Sequence, residues 1–115
     1  MPVEFYTQER CWITELSNSA DDELLSIARA RVEPGVTTCW HRVRGTVERY
    51  VMLEGEGRVE VGKQAPRVVR AGDVVIIPAD CPQRIANIGA CDLVFLAVCT
   101  PRFRQAAYED LGDNA

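Results

Sequence analysis

The sequence predicts an all-β domain, built as an antiparallel sandwich or barrel. Short runs rich in β-branched residues recur at near-even spacing from residue 37 onward, and clusters of Gly, Pro and Asp separate them as turns. This pattern is typical of antiparallel sandwiches and barrels. A length of 115 residues fits one domain. An apolar content of 47% supports an ordinary core and excludes a disordered chain.

The N-terminal part gives a clear signal at one place only. Residues 1–8 show no pattern, whereas residues 11–16 (CWITEL) alternate and are β-rich, which predicts a short strand at a sheet edge. The local signals for residues 24–32 conflict. Residues 19–22 resemble a helix cap and the apolar residues that follow have helical spacing. The local pattern therefore leaves helix and strand open for that segment.

The remainder of the chain is predicted as strands followed by a tail. The predicted strands are 37–43, 48–53, 58–61, 67–70, 74–77, 83–87 and 92–99. In the tail, residues 105–111 are predicted to form a turn or two of helix, with Phe103, Tyr108 and Leu111 as apolar anchors. We expect this tail to dock on the barrel or on a partner subunit, with a lid over the barrel mouth as the alternative.

The stretch from residue 35 to residue 55 carries the most informative side chains. It holds His41, the only histidine of the chain, and Glu48 seven residues later. Alternate side chains of a strand share one face, so Cys39 and Val43 lie on the face of His41. If the two runs pair as a hairpin across residues 44–47, His41 and Glu48 converge. An imidazole and a carboxylate in one cavity make half of a metal site.

This stretch resembles the first signature of the cupin superfamily. That signature reads Gly, five residues, His-x-His, three or four residues, Glu, six residues and Gly. Gly35, His41, Glu48 and Gly55 fall on it, and Val43 occupies the place of the second histidine.

A second stretch resembles the second cupin signature, which reads Gly, five residues, Pro-x-Gly, two residues, His, three residues and Asn. Gly72, Pro78 and Asn87 match, Asp80 replaces the glycine, and Gln83 replaces the histidine. Both motifs stand in register at the usual separation. Two of the four metal ligands that the signatures supply are therefore changed.

The resemblance covers residues 24–98 and implies a cupin-like jelly-roll barrel, also called a double-stranded β-helix. It implies one domain over the whole chain, with a barrel core at about 24–99, the N-terminal strand 11–16 and a C-terminal tail 100–115. It favours a strand for residues 24–32. It also implies a homodimer, formed through sheet edges or exchanged N-terminal strands. The sequence ERYVMLEGEGRVEVG is similar to cupin domains of mannose-6-phosphate isomerase-like proteins, which implies a sugar-related ligand.

A metal cofactor is one implication of the resemblance. Intact cupins commonly bind iron, manganese, nickel, zinc or copper with three histidines and a glutamate. Here His41 and Glu48 remain as strong ligands, Gln83 offers an amide oxygen, and Cys39 or Cys81 would supply an extra thiolate. A single histidine excludes an iron site of two histidines and one carboxylate. The sequence leaves open a divalent transition metal (Zn, Fe, Mn, Ni or Cu) or none.

Function stays open between three classes. The leading interpretation is a barrel pocket that binds a small polar or acidic metabolite, with or without a degenerate metal site. A metal-free isomerase, epimerase-like enzyme or lyase would use Glu48 and His41 for proton transfer. A non-catalytic sensing or binding module is the third class. The residues predicted to line the pocket are Val43, Tyr50, Met52 and Ile85, and arginines near its mouth would hold a carboxylate or phosphate.

Composition limits the partners and the compartment. A net charge of −4 without a basic patch argues against nucleic acid. No apolar run has membrane length and no signal peptide is recognised, so we expect no membrane association and a cytoplasmic location. The five cysteines lack a CxxC pair, which favours buried, reduced thiols over a zinc ribbon or a disulfide framework.

Overall fold

A computed structural model describes residues 2–113 and confirms the all-β prediction. Within these residues the strands are β1 (Phe5–Tyr6), β2 (Trp12–Ser17), β3 (Ser26–Val32), β4 (Trp40–Val43), β5 (Val47–Glu54), β6 (Glu56–Val61), β7 (Arg67–Arg70), β8 (Val74–Ile77), β9 (Gln83–Asn87), β10 (Leu93–Thr100) and β11 (Tyr108–Gly112). One 3-10 turn, Gln105–Ala107, precedes β11. No helix in residues 2–113 is long and apolar enough to cross a membrane.

The strands form two antiparallel sheets. The six-stranded sheet has the order β1-β2-β3-β10-β5-β8, and the five-stranded sheet has the order β11-β4-β9-β6-β7. Alternate residues of β4 and β5 are buried, as expected for strands with one face on the core. Both sheets supply the core, whose fully buried members include Val32, Met52, Val69, Ile77, Ile85 and Leu93.

The segment with conflicting local signals is a strand. β3 pairs with β2 on one side and with β10 on the other, so its backbone groups are bonded from both sides. Its alternation also buries Ser26, Ala30 and Val32 on one face. Tertiary pairing therefore overrides the helical spacing. The strand predicted at residues 11–16 is β2, which begins and ends one residue later. It is not the edge strand, because β1 pairs with its outer side and forms the edge of the sheet.

The hairpin prediction for residues 41 and 48 is wrong. β4 belongs to the five-stranded sheet and β5 to the six-stranded sheet, so the chain passes from one sheet to the other between them. The turn contains Gly45, which has a φ of 64° and donates its N–H to a carboxylate oxygen of Asp80 at 3.1 Å. His41 pairs with Gln83 of β9, whereas Glu48 pairs with Ile77 and Cys99. His41 and Glu48 therefore enter the interior from different sheets.

The helix predicted at residues 105–111 is also wrong beyond its first turn. Residues 108–112 form β11, which pairs with β4 as the outermost strand of its sheet. Tyr108 stands opposite Val43, and the backbone of β4 gains a partner on the side away from β9. The expectation that the tail docks on the barrel holds, and it docks by strand addition.

Candidate functional site

A cavity of about 110 Å³ lies between the two sheets. Its wall includes His41 and Val43 from β4, Glu48 and Tyr50 from β5, and Ile85 from β9. Of the predicted lining residues, Val43, Tyr50 and Ile85 are thus on the wall. Met52 lies in the hydrophobic core instead.

Glu48 is held from behind by a chain of hydrogen bonds. The Tyr50 hydroxyl donates to Oε1 of Gln83 at 2.5 Å, and Nε2 of Gln83 donates to Oε1 of Glu48. The Cys99 thiol donates to Oε2 of Glu48 at 3.6 Å. Gln83 is 1% exposed and Glu48 is 6% exposed. The glutamine at the histidine position therefore fixes the carboxylate rather than facing the cavity.

Burial dominates the protonation of this carboxyl group. It raises the pKa of Glu48 above its ordinary value, and the nearby Glu9 adds to the rise. The neighbouring His41 and the hydrogen bonds from Gln83 and Cys99 act in the opposite direction and lower the pKa. The same burial raises the pKa of Tyr50, so its hydroxyl remains a donor.

Both ring nitrogens of His41 lie close to oxygen atoms. Nδ1 lies 2.9 Å from the carbonyl oxygen of Cys39, and Nε2 lies 3.1 Å from Oε2 of Glu9. A carbonyl oxygen only accepts, so Nδ1 carries a hydrogen. When the imidazole is protonated, His41 and Glu9 form an ion pair inside the cavity wall.

Glu9 was missed in the sequence. It sits in the turn between β1 and β2, where the N–H of Arg10 donates to the carbonyl oxygen of Thr7 at 3.1 Å. Arg10 adopts a left-handed φ of 73°. This turn directs Glu9 at His41 from a segment without periodicity, so no local pattern marks it.

Tyr108 was recognised only as an apolar anchor of the tail. Its ring stacks on His41, with the ring centroids 5.3 Å apart and the planes 20° from parallel. Its hydroxyl is buried and has no hydrogen-bond partner among the described residues, and neither has Oε2 of Glu15. Both residues line the cavity. Tyr108 reaches the cavity wall because β11 pairs with β4. The helix predicted from the sequence did not indicate this pairing.

The two cysteines considered as extra ligands are engaged elsewhere. The Cys39 thiol donates to the carbonyl oxygen of Gln8 at 3.5 Å, and the Cys81 thiol donates to that of Pro82 at 3.6 Å. Neither belongs to the cavity wall. Burial raises the pKa of both thiols, which disfavours the thiolate that a metal needs.

The donor set does not fit a divalent metal. Among residues 2–113, no three His, Cys, Asp or Glu side chains are grouped as a metal site. Nε2 of His41 faces Glu9, and the amide oxygen of Gln83 accepts from Tyr50. Val43 supplies no donor atom. The cavity therefore offers a ligand its own acid, base and hydrogen-bonding groups.

No Lys or Arg side chain lines the cavity within the described part of the chain. The arginines that the sequence placed near its mouth are bonded to other groups of the protein. Arg31 binds Glu4 and Asp92, Arg42 binds Glu109, and Arg84 binds Glu60. The cavity thus presents carboxylates and one imidazole, without a fixed cation.

Comparison with known proteins gives three similarities. The sequence model of the family described as Cupin domain matches residues 28–99. A protein of Thermotoga maritima named "Oxalate-binding protein" is 39% identical over 72 residues, which is 62% of this chain and 58% of that protein. An uncharacterized protein of Methanocaldococcus jannaschii is 33% identical over 78 residues, covering 68% of this chain and 62% of its own. The chain therefore matches about 60% of the length of these relatives.

Solved structures share the fold at low sequence identity. The oxalate decarboxylase of Lactobacillus farciminis, solved as a formate complex, aligns over 96% of this chain and 33% of its own, with a TM-score of 0.82 and 22% identity. A Klebsiella pneumoniae protein with a double-stranded β-helix domain aligns over 92% of this chain and 88% of its own, with a TM-score of 0.77 and 15% identity. These likenesses support the architecture described above.

Proposed function

Because the chain belongs to the cupin family, whose domain it matches over residues 28–99, we propose that it binds a small polar metabolite in the cavity lined by His41 and Glu48, with Gln83 behind Glu48. The observation that carries this proposal is the cavity itself, in which buried polar groups are oriented from behind. Ligand sites are typically concave and mostly apolar, with a few placed polar groups. Here Val43, Ile85 and other apolar side chains surround Glu48 and the pair of His41 and Glu9.

The Thermotoga relative supports a binding role, since it is named for a ligand. The ligand in its name, oxalate, cannot be assigned directly to this chain. A dicarboxylate needs cationic side chains or a metal to balance its charge. The described cavity wall has neither Lys nor Arg, and Nε2 of its single histidine, His41, already faces Glu9. We therefore propose a polar ligand and set aside the acidic one that the sequence also allowed.

Ligand-dependent thermal stabilisation against a panel of small metabolites tests the proposal. A ligand at one hundred times its Kd stabilises the folded state by about 2.7 kcal/mol. Ala97→Leu fills the cavity wall without removing a polar group, and Ala20→Leu makes the same change on an exposed loop. We expect stabilisation in the wild type and in Ala20→Leu, and its loss in Ala97→Leu. Equal stabilisation of both variants would place the ligand elsewhere.

Proton-transfer catalysis is the second candidate, and the placement of His41, Glu9 and Glu48 on one cavity wall favours it. Nε2 of His41 faces Glu9, and burial raises the pKa of Glu48. Two titratable groups in different environments are what general acid–base catalysis requires. An isomerase or lyase of this kind would keep its turnover in the presence of a chelator and lose it in Glu48→Gln. Turnover that chelation abolishes would instead indicate a metal.

A homodimer also remains a proposal, together with the cytoplasmic location. The outer face of β8 exposes Val74 and Ile76. Val68 of β7, the edge strand of the other sheet, is also exposed. β8 is an edge strand, and a second copy would cover its unpaired backbone groups. Light scattering after size-exclusion chromatography should give twice the 12.8 kDa chain mass. A charged residue at Ile76 should shift the mass to that of the monomer.

A further inference from the structure

The three carboxylates of the cavity differ in what balances their charge. Glu9 faces Nε2 of His41, and Glu48 accepts from Gln83 and Cys99. Glu15 has no such support, because its Oε2 is buried and finds no hydrogen-bond partner among the described residues. A buried carboxylate oxygen without a donor is costly. Glu15 is therefore the group whose electrostatic demand the protein itself does not meet.

The sheet register forms a trough beside Glu15. Glu15 of β2 stands opposite Ala28 of β3, Ala28 stands opposite Ala97 of β10, and Ala97 stands opposite Tyr50 of β5. Three strand spacings separate the two ends of this row by about 14 Å. The two alanines between them leave the space that larger side chains would fill, and all four residues line the cavity.

Aromatic side chains form another part of the cavity wall. Tyr108, Phe103 and Phe5 line the cavity, and the hydroxyl of Tyr108 is also without a partner among residues 2–113. Aromatic faces attract cations, and they pack against carbon skeletons. The remaining walls hold no Lys or Arg in the described part of the chain. The unpaired carboxylate, the aromatic faces and the lack of Lys and Arg on the described wall together favour a positively charged ligand.

We propose that the ligand is a small organic ammonium whose N–H groups bond Glu15 and whose carbon body lies over Ala28 and Ala97. This inference rests on the proposed function and names its ligand class. An engineered cavity of about 150 Å³ in another protein accepts benzene, so the smaller cavity of about 110 Å³ limits the ligand to about that size or less. Dicarboxylates such as oxalate would meet uncompensated negative charge and are rejected.

Matched probes of one skeleton test the charge preference. Cyclopentylamine, cyclopentanol and cyclopentanecarboxylate differ only in the polar group, and oxalate is the fourth probe. By calorimetric titration at pH 7 and low salt, we expect the amine to bind at least about fivefold more tightly than the alcohol, because charge-assisted hydrogen bonds are roughly twice as strong. Neither anion should bind within tenfold of the amine.

Two isosteric variants locate the interaction. Glu15→Gln should reduce the preference for amine over alcohol to within about twofold, since the amide keeps the shape and removes the charge. Glu54→Gln makes the same change at an exposed glutamate and should leave the preference intact. Thermal unfolding of both variants verifies that they are folded. An unchanged preference in folded Glu15→Gln would overturn the assignment to Glu15.

The outcomes separate the two levels of proposal. Binding of the alcohol, the carboxylate or oxalate as tightly as the amine would overturn the ammonium preference and leave a small-molecule cavity. Failure of all four probes, together with no stabilisation by the metabolite panel, would overturn the cavity as a binding site and the ammonium preference with it.

Discussion

The same substitution at two tyrosines should have opposite effects on stability. Tyr50 and Tyr108 both line the cavity, but their hydroxyl groups differ in their partners. The Tyr50 hydroxyl donates to Oε1 of Gln83, whereas that of Tyr108 has no partner among the described residues. Tyr→Phe removes one oxygen at each place and keeps the ring, so the hydrogen bond is the variable.

The magnitude follows from what each change leaves behind. Tyr50→Phe leaves the amide oxygen of Gln83, a side chain 1% exposed, without its donor. An unsatisfied buried acceptor costs about 1 to 3 kcal/mol, which is roughly 3 to 18 °C in Tm for a domain of this length. Tyr108→Phe removes an unpaired buried hydroxyl instead. It should leave the stability unchanged or raise it by up to about 1 kcal/mol.

Urea unfolding followed by circular dichroism measures both variants beside the wild type. The slope m should stay constant, which shows that the change lies in the folded state. Tyr6→Phe is a control at an exposed tyrosine and should stay within about 0.5 kcal/mol of the wild type. Equal effects of Tyr50→Phe and Tyr108→Phe within that margin would refute the relay that runs from Tyr50 through Gln83 to Glu48.

Three further predictions concern pH, backbone and metal. Burial raises the pKa of Glu48 above its ordinary 4.5, so its contribution to stability is present at low pH and lost as pH rises through the folded pKa. The stability of Glu48→Gln relative to the wild type should therefore increase from pH 4 to pH 8, by about 1.4 kcal/mol per unit of elevation, and a flat difference in urea midpoints would contradict this. A Cβ on Gly55 would lie 2.6 Å from the carbonyl oxygen of Asp92, at a φ of 83°, whereas one on Gly35, with a φ of 80°, meets no atom within 4 Å. Gly55→Ala should thus lose more unfolding free energy than Gly35→Ala, by about 1 to 3 kcal/mol, and equal losses would mean that strained φ alone matters. Mass spectrometry of the purified protein should find well under one transition metal per chain, and a stoichiometric metal would show that the donor set rearranges to bind one.

Much of the fold was predictable because it depends on short-range alternation and turn chemistry. The runs around His41, Glu48 and Gln83 are strands, and their alternation correctly indicates which residues face inward, as the buried pattern of β5 shows. For residues 105–111 the sequence predicts a turn or two of helix anchored by Phe103, Tyr108 and Leu111, and this prediction is wrong beyond the first turn. Pairing with β4 decided that segment.

The candidate site was predictable in part. His41 and Glu48 were identified from residue type and spacing, and they do line one cavity. They reach the cavity from two different sheets, whereas the hairpin considered from the sequence would have placed both in one sheet. Gln83 stands behind Glu48 as a donor rather than as a ligand. Glu9 carried no signal at all.

The sequence by itself determined the class of fold and two of the residues that carry chemistry, His41 and Glu48, because β-alternation and side-chain identity are local properties. Only the tertiary structure decided what those residues face. Glu9 reaches His41, and Tyr108 stacks on it, through contacts 32 and 67 residues apart along the chain (41 − 9 and 108 − 41). Glu15 is left without a donor because the strand next to β2 presents an alanine there. Such contacts depend on register between distant strands, which short-range periodicity does not encode.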